Sequence, residues 1–159
     1  MDLGSVAAIV LIGGGLGALA GALVHAVAVR LPAGLDPLGA PVCTACRASF
    51  GGSGLVPFRR PTCPNCGVPA HWAKVATEAA AAAIVVAALL LRGLTYWGVS
   101  GAVFSLLLLV ILRIDWQHHL IYTATIVPGL AVALVAAALH SPGMLLSAGI
   151  AAVGAGLLF

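Results

Sequence analysis

This sequence contains very few charged residues. Of its 159 residues only 7 % are charged, whereas 62 % are hydrophobic, and the mean hydropathy is +1.18. Soluble domains carry about one charged residue in four, so lipid must be the solvent for most of this chain. The net charge of +3 is too small to indicate a nucleic-acid-binding protein. The composition predicts an all-α polytopic membrane protein that has the lipid bilayer as a partner and no nucleic acid.

Only four of the charged residues are carboxylates, namely Asp2, Asp36, Glu78 and Asp115. Asp115 lies between an apolar stretch and two histidines, and an ionisable residue at a membrane edge is a functional hypothesis by default. The alternative for Asp115 is a solvated turn residue paired with Arg113. For Glu78 two interpretations stay open: a carboxylate in lipid that needs a partner or water, and one favoured by the dipole of a helix N-terminus.

The four cysteines form the one concentration of polar chemistry. They fall into two C-x-x-C pairs, Cys43 with Cys46 and Cys63 with Cys66, separated by sixteen residues. This spacing is typical of structural zinc sites, because each pair turns two thiolates toward one tetrahedral ion. Two disulfides or four unrelated buried thiols are the alternatives. The pattern predicts one Zn²⁺ with all four cysteines as ligands and no open position for a substrate.

Apolar runs predict about five transmembrane helices. The first occupies residues 1–30, and a small zinc-ribbon loop follows at 31–74. The remainder, 75–159, is predicted to hold four spans joined by short turns, with a polar turn at 114–119. The four spans lie at about 75–91, 98–113, 120–139 and 144–159. Glycines in the first span give it a small-residue surface suited to close packing in a membrane; they are Gly13, Gly14, Gly15, Gly17 and Gly21.

Basic residues concentrate in a single loop. Five of the seven lie within 30–74: Arg30, Arg47, Arg59, Arg60 and Lys74. Lys and Arg accumulate in loops that stay in the cytoplasm, so we expect the N-terminus outside and the cysteine loop in the cytoplasm. The cytoplasm is reducing, which favours zinc over disulfides.

Four segments follow one another along the chain: residues 21–32, the two cysteine pairs, Glu78 and residues 114–129. Their order resembles that of the bacterial prepilin peptidases, also called type IV leader peptidases. Residues 21–32 are similar to the family's G-S-F-L-N…H-R-L-P segment, and 114–129 to its I-D-x-x-x-x-L-I-P-D-x-x-T-x-P-G. The cysteine pairs match its cytoplasmic zinc-binding domain. Glu78 falls twelve residues after Cys66, where the family's R-Y-P-x-V-E glutamate falls.

The resemblance implies an intramembrane aspartyl protease of the bacterial inner membrane. Such enzymes cut the short basic leaders of type IV prepilins and type II secretion pseudopilins at the cytoplasmic face, so these leader peptides are the implied partners. Two aspartates share the work, one activating water and the other protonating the leaving amine, and Asp115 is the implied first of the pair. Many members also N-methylate the new N-terminus, which implies S-adenosylmethionine as a second cofactor where that activity is retained.

The second aspartate of the family belongs to a G-x-G-D motif, and no such motif follows Asp115. We therefore expect a prepilin peptidase truncated before that motif and inactive by itself. His25 stands where the family has Asn, residues 122–123 where it has Pro-Asp, and residues 73–75 where it has Arg-Tyr-Pro. The alternative function is a non-catalytic, membrane-anchored zinc-ribbon module that binds leaders or assembly proteins without cutting them.

Overall fold

The computed structural model describes residues 2–118 and 123–158. These residues are mainly helical, except in the loop at 31–72, where Gly51–Leu55 forms a short 3₁₀ helix. The long helices of this part of the chain are α1 (Leu3–Arg30), α2 (Ala73–Arg92), α3 (Tyr96–His118), α4 (Thr123–His140) and α5 (Pro142–Leu158). The first three are long and apolar enough to cross a membrane, and the apolar residues described in α4 and α5 are Ile126–His140 and Pro142–Gly154. The architecture is that of a helical membrane protein. The number of spans beyond these three stays a prediction.

The ends of the spans follow from local sequence. Helix α1 ends where Pro32, which has no N–H to donate, follows Leu31. Helix α2 ends at Arg92, and the next residue, Gly93, has a φ of 66°, which glycine adopts far more readily than residues with a Cβ atom. The predicted polar turn at 114–119 is wrong for 114–118, because α3 stays helical to His118. Nothing in that stretch breaks a helix, since it contains neither Gly nor Pro; residue 119 lies outside the described residues.

Close packing of α1 on α2 uses the glycines of the first span. Gly17 and Gly21 are one helical turn apart, so they lie on the same face. A Cβ atom built on Gly17 would lie 2.6 Å from the Cα of Ala82, and one built on Gly21 would lie 2.6 Å from the Cα of Glu78. Both contacts are with backbone, which cannot move aside like a flexible side chain. The predicted small-residue surface therefore brings the two helices together along these glycines.

The chain divides into two compact units, Met1–Leu120 and Ile121–Phe159. In the first unit α1, α2 and α3 all pack against one another, and the cysteine loop joins α1 to α2. In the second unit α4 packs against α5. The chemistry-bearing residues considered below all belong to the first unit.

Candidate metal centre

The loop between α1 and α2 contains two copies of one backbone pattern, at residues 41–50 and 61–70, offset by twenty residues. Each copy is closed by three backbone hydrogen bonds at matching positions. In the first copy the N–H groups of Cys43, Arg47 and Phe50 donate to the carbonyls of Ala48, Cys43 and Pro41, at 2.8, 2.9 and 2.8 Å. In the second copy those of Cys63, Gly67 and Ala70 donate to Val68, Cys63 and Pro61, at 2.9, 3.0 and 2.9 Å. The two C-x-x-C pairs are thus the same local structure made twice.

Each copy needs one residue in the left-handed region directly after its second cysteine. That residue is Arg47 in the first copy, with φ of 61°, and Gly67 in the second, with φ of 72°. The positive φ reverses the chain so that the following residues return alongside the cysteines as an isolated β-bridge. The bridges pair Val42 with Ser49 and Thr62 with Pro69.

The two copies bring their sulfur atoms together. The Sγ atoms of Cys43 and Cys66 are 3.6 Å apart, those of Cys46 and Cys63 are 3.5 Å apart, and all four lie within 4.8 Å of one another. Four sulfurs at about 2.3 Å from a tetrahedral ion are about 3.8 Å apart, so this cluster is close to the size that a metal requires. A disulfide needs about 2.05 Å, and all four cysteines are free. The cysteines can therefore hold a metal ion such as zinc.

Backbone dipoles prepare two of these thiols for ligation. The backbone of Cys46 lowers the pKa of the Cys43 thiol, and the backbone of Cys66 lowers the pKa of the Cys63 thiol to about 7. A hydrogen bond donated to sulfur favours the thiolate, which is the form that binds metal. The side chains of Cys43 and Cys63 are buried and that of Cys66 is exposed, so one side of the cluster faces solvent.

A buried ion pair ties the loop to helix α2. Lys74 Nζ donates to Glu78 Oε1 at 2.5 Å and to the carbonyls of Val56 and Arg59 at 2.9 and 3.1 Å, which uses all three ammonium donors. The second carboxylate oxygen of Glu78 accepts the Phe58 N–H at 2.6 Å. Glu78 is completely buried and Lys74 almost so. We call this arrangement the Lys74–Glu78 clamp.

The clamp answers the question that the sequence left open for Glu78. Glu78 is a buried carboxylate with a partner, and that partner is Lys74, one helical turn before it. The loop segment 56–59 lies over the start of α2 and is fixed there by its backbone. Sequence reasoning missed the pairing, although a Lys and a Glu four residues apart at the start of a span are a detectable signal.

Arg30 organises the other end of the loop. Its Nε donates to the carbonyl of Asp36, and its Nη1 donates to that of Ala40 at 2.7 Å. A single side chain at the end of α1 therefore holds the chain that leads into the first cysteine copy. A Cβ on Gly39 would collide with the guanidinium, so glycine gives Arg30 its room.

Asp115 lies on the last turns of α3, and its exposed side chain makes no hydrogen bond or ion pair to any described residue. The proposed pairing with Arg113 is wrong, because residues two apart on a helix do not face each other. Arg113 instead has its Nε and Nη2 buried without a partner among the described residues, and His25 of α1 likewise has its Nδ1 buried without one there. The structure brings the four cysteines together but places no second carboxylate in contact with Asp115 among the residues it describes.

Comparison of the chain with protein-family models, with curated proteins and with solved structures found no match. The class of protein therefore rests on the features above. It is a helical membrane protein with three apolar helices long enough to cross a bilayer, and it carries a four-cysteine cluster able to hold a metal ion between the first and second of them.

Proposed function

We propose that this chain carries the zinc-binding loop and the first catalytic aspartate of a prepilin peptidase. The observation that supports the proposal best is the placement of two chemistries in one helical unit. A four-thiol cluster lies between the first two candidate spans, and an exposed carboxylate, Asp115, which has no partner among the described residues, lies at the end of the third. The proposal puts both in the cytoplasm, facing the leaders of prepilins and pseudopilins at the inner membrane.

Zinc is the metal that we assign to the four-cysteine cluster. Four thiolates and no open position suit a structural zinc site, whose binding energy supplies the folding energy of a small loop. Protein purified in detergent should contain one zinc per chain by elemental analysis, and Cys66→Ser should lose most of it. Asn65→Ala, an exposed non-ligand neighbour, is the matched control and should keep its zinc. Absence of stoichiometric zinc from the unaltered chain would refute the assignment.

Peptide hydrolysis in this proposal uses two carboxyl groups at once. One takes a proton from the attacking water while the other gives a proton to the leaving amine. The exposure of Asp115 leaves its carboxylate accessible to water and to an extended peptide. Glu78 does not supply the second group, because both of its oxygens are engaged by the Lys74–Glu78 clamp. The second aspartate is the one of the family's G-x-G-D motif.

The test joins this chain to the G-x-G-D-containing helices of an intact prepilin peptidase. The 159-residue chain alone should not cleave a prepilin, whereas the completed protein should. Asp115→Asn keeps the size of the side chain and removes its ionisable group, so it should lower cleavage by at least about a hundredfold. Asp2→Asn, which alters a carboxylate at the other end of the first unit, is the control. Cleavage by the chain alone, or by completed Asp115→Asn protein, would contradict the proposal.

Methylation of the new N-terminus is the second activity in this proposal. Transfer of labelled methyl groups from S-adenosylmethionine to the cleaved pilin by the completed protein would support it. A completed protein that cleaves without methylating would limit the proposal to the peptidase.

A non-catalytic function is favoured by one observation. Both carboxylates of α2 and α3 lack the arrangement that hydrolysis needs, since Glu78 is neutralised by Lys74 and Asp115 has no carboxyl partner among the described residues. In this second candidate the chain is a membrane-anchored zinc-ribbon module that binds leaders or assembly proteins. Leader peptide should then bind to the chain in nanodiscs, and Asp115→Asn should not weaken that binding.

A further inference from the structure

A cleft of about 480 Å³ opens where the end of α1, the first cysteine copy and the end of α3 meet. Its apolar wall comes from α1 and the chain after it, through Val29, Pro32 and Leu35. Its polar wall comes from Arg47 and from His118 of α3. An ordered water needs roughly 10–15 Å³, whereas small-molecule sites occupy about 300–1,000 Å³, so the cleft has the size of a ligand site.

The charge of the cleft has one sign. Its polar wall includes the permanently cationic Arg47 and the titratable His118, and none of the described residues that line it is a carboxylate. The Arg47 side chain is exposed and makes no hydrogen bond or ion pair with any residue in the described ranges. A free guanidinium at the rim of a cleft without acidic groups favours an anionic occupant, because guanidinium matches phosphate and carboxylate geometry.

The backbone at Arg47 adds a second observation. Arg47 has a φ of 61°, at the position where the second copy has Gly67 with φ of 72°. A non-glycine residue is uncommon in this region, and strained backbone is retained mainly where the side chain has a use. The first copy thus presents an arginine at a site where the shared fold prefers glycine, and that arginine lines the cleft.

The position of the cleft identifies the occupant. It lies beside the C-terminal ends of α1 and α3, two apolar helices long enough to span a bilayer, so it opens where hydrocarbon gives way to headgroups. An apolar wall beside a cationic rim is complementary to a lipid whose phosphate is anionic and whose glycerol backbone and chains are apolar. We propose that this cleft binds the headgroup of an anionic phospholipid, with Arg47 as its phosphate ligand.

This inference does not depend on peptidase activity. The basic leader that a prepilin peptidase would cut is a poor occupant, since Arg47 would repel it. The cleft therefore serves the attachment of the cysteine loop to the membrane surface rather than the recognition of a leader.

The experiment uses the whole chain in nanodiscs that contain equal amounts of phosphatidylglycerol and phosphatidylcholine. Native mass spectrometry counts the lipids that stay bound after release. The unaltered chain should retain phosphatidylglycerol in preference by roughly fivefold, the effect of about one basic residue at an anionic surface. Arg47→Asn, which tolerates the left-handed backbone, should abolish that preference. Arg47→Lys should keep much of it, and Arg59→Asn, which removes the same charge from another exposed part of the loop, should leave it unchanged.

Several outcomes would overturn the proposal. Equal losses in Arg47→Asn and Arg59→Asn would show only diffuse attraction of a basic loop to an anionic surface. Displacement of the lipid by inorganic phosphate at similar concentration would assign the cleft to a free anion, and displacement by an acidic peptide would assign it to a protein. If Arg47→Asn also lost its metal, the loss of lipid could reflect damage to the cysteine loop. His118→Glu, which changes a residue of α3 that lines the cleft, would then be the test. Its added carboxylate should expel the lipid, and retention of the lipid would refute the site.

Discussion

Gly67 offers a test of what a single backbone dihedral contributes to the stability of the cysteine loop. Its φ is 72°, and a Cβ atom added there would meet no atom within 4 Å. Gly67→Ala should therefore act through the backbone alone and destabilise the metal-bound loop by about 1–2 kcal/mol. Competition with a chelator measures this as a loss of metal affinity of roughly five- to thirtyfold.

Gly52→Ala is the matched control, because Gly52 has no positive φ and equal free space around it. It should leave the metal affinity unchanged within about twofold. Equal effects of the two substitutions would mean that the loop does not need its left-handed residue at 67.

The Lys74–Glu78 clamp should be far more sensitive to single than to paired substitution. Lys74→Met leaves the Glu78 carboxylate buried without its cation, and loss of one partner of a buried ion pair costs about 3–5 kcal/mol. The combined Lys74→Met and Glu78→Leu variant removes both charges and should recover much of that loss. Denaturant unfolding of the four members of this mutant cycle measures the coupling.

The double variant should stay less stable than the unaltered chain, because three backbone groups lose their hydrogen-bond partners. The carbonyls of Val56 and Arg59 lose their donor, and the Phe58 N–H loses its acceptor. If the single and double variants were equally stable, Lys74 and Glu78 would not form a strongly coupled ion pair. The two residues would then contribute to stability through packing alone.

At the scale of single residues, the sequence predicted the cluster of four cysteines but missed most polar pairings. Cysteine spacing is a local property, and it was enough to predict that Cys43, Cys46, Cys63 and Cys66 form one cluster. Ion pairs depend on which face of a helix each residue occupies. The expected pairing of Asp115 with Arg113 ignored that geometry, because the segment was interpreted as a turn. The partnership of Glu78 with loop backbone could not be read from spacing at all.

Helix packing gives a test at the scale of elements. A Cβ on Gly17 would lie 2.6 Å from backbone of α2, so Gly17→Leu must push α1 and α2 apart. We expect a loss of more than about 2 kcal/mol in unfolding free energy, at the upper end of overpacking costs. Disulfide crosslinking of cysteine pairs introduced across the α1–α2 contact should also slow.

Gly15→Leu is the matched control on the same helix. A Cβ on Gly15 meets nothing within 4 Å and the residue is exposed, so the new side chain would point away from α2. Its crosslinking rate and stability should equal those of the unaltered chain. A harmless Gly17→Leu would show that α1 and α2 are not packed along their glycines.

The sequence predicted the apolar helices better than it predicted side-chain pairings. It predicted the centres of these helices better than their ends. Long apolar runs fixed the three candidate spans, because burial in lipid demands apolar side chains and an internally bonded backbone. The sequence-based prediction ends α3 at about residue 113, because residues 114–118 are polar. The helix continues to His118, since no helix-breaking residue occurs there. The twenty-residue repeat of the loop was also missed. Its two copies share few residue types beyond the first proline and the two cysteines. Their similarity is visible only in the backbone hydrogen bonds, which recur at matching positions.

Orientation in the membrane is the test at the scale of the whole molecule. Five of the seven basic residues lie within 30–74, so we expect the cysteine loop in the cytoplasm and the turn between α2 and α3 outside. A single cysteine introduced at Ser53 into a variant without native cysteines should be protected from impermeant thiol reagents in intact cells. One introduced at Thr95 should be labelled. The reverse pattern would invert the topology and place Asp115 on the outer face.

The contact between Gly21 and Glu78 links helix packing to the ion pair and to the cysteine loop. Gly21 is the glycine whose missing Cβ lets α1 approach the backbone of Glu78, and Glu78 is the residue that holds Lys74 and the metal loop. Natural variation at these positions should therefore be correlated. Where a related sequence carries a larger residue at 21, we expect altered residues at 74 and 78 in the same sequence. Where it keeps glycine there, we expect the acid and the base to be gained or lost together, because either one alone would be a buried, unpaired charge.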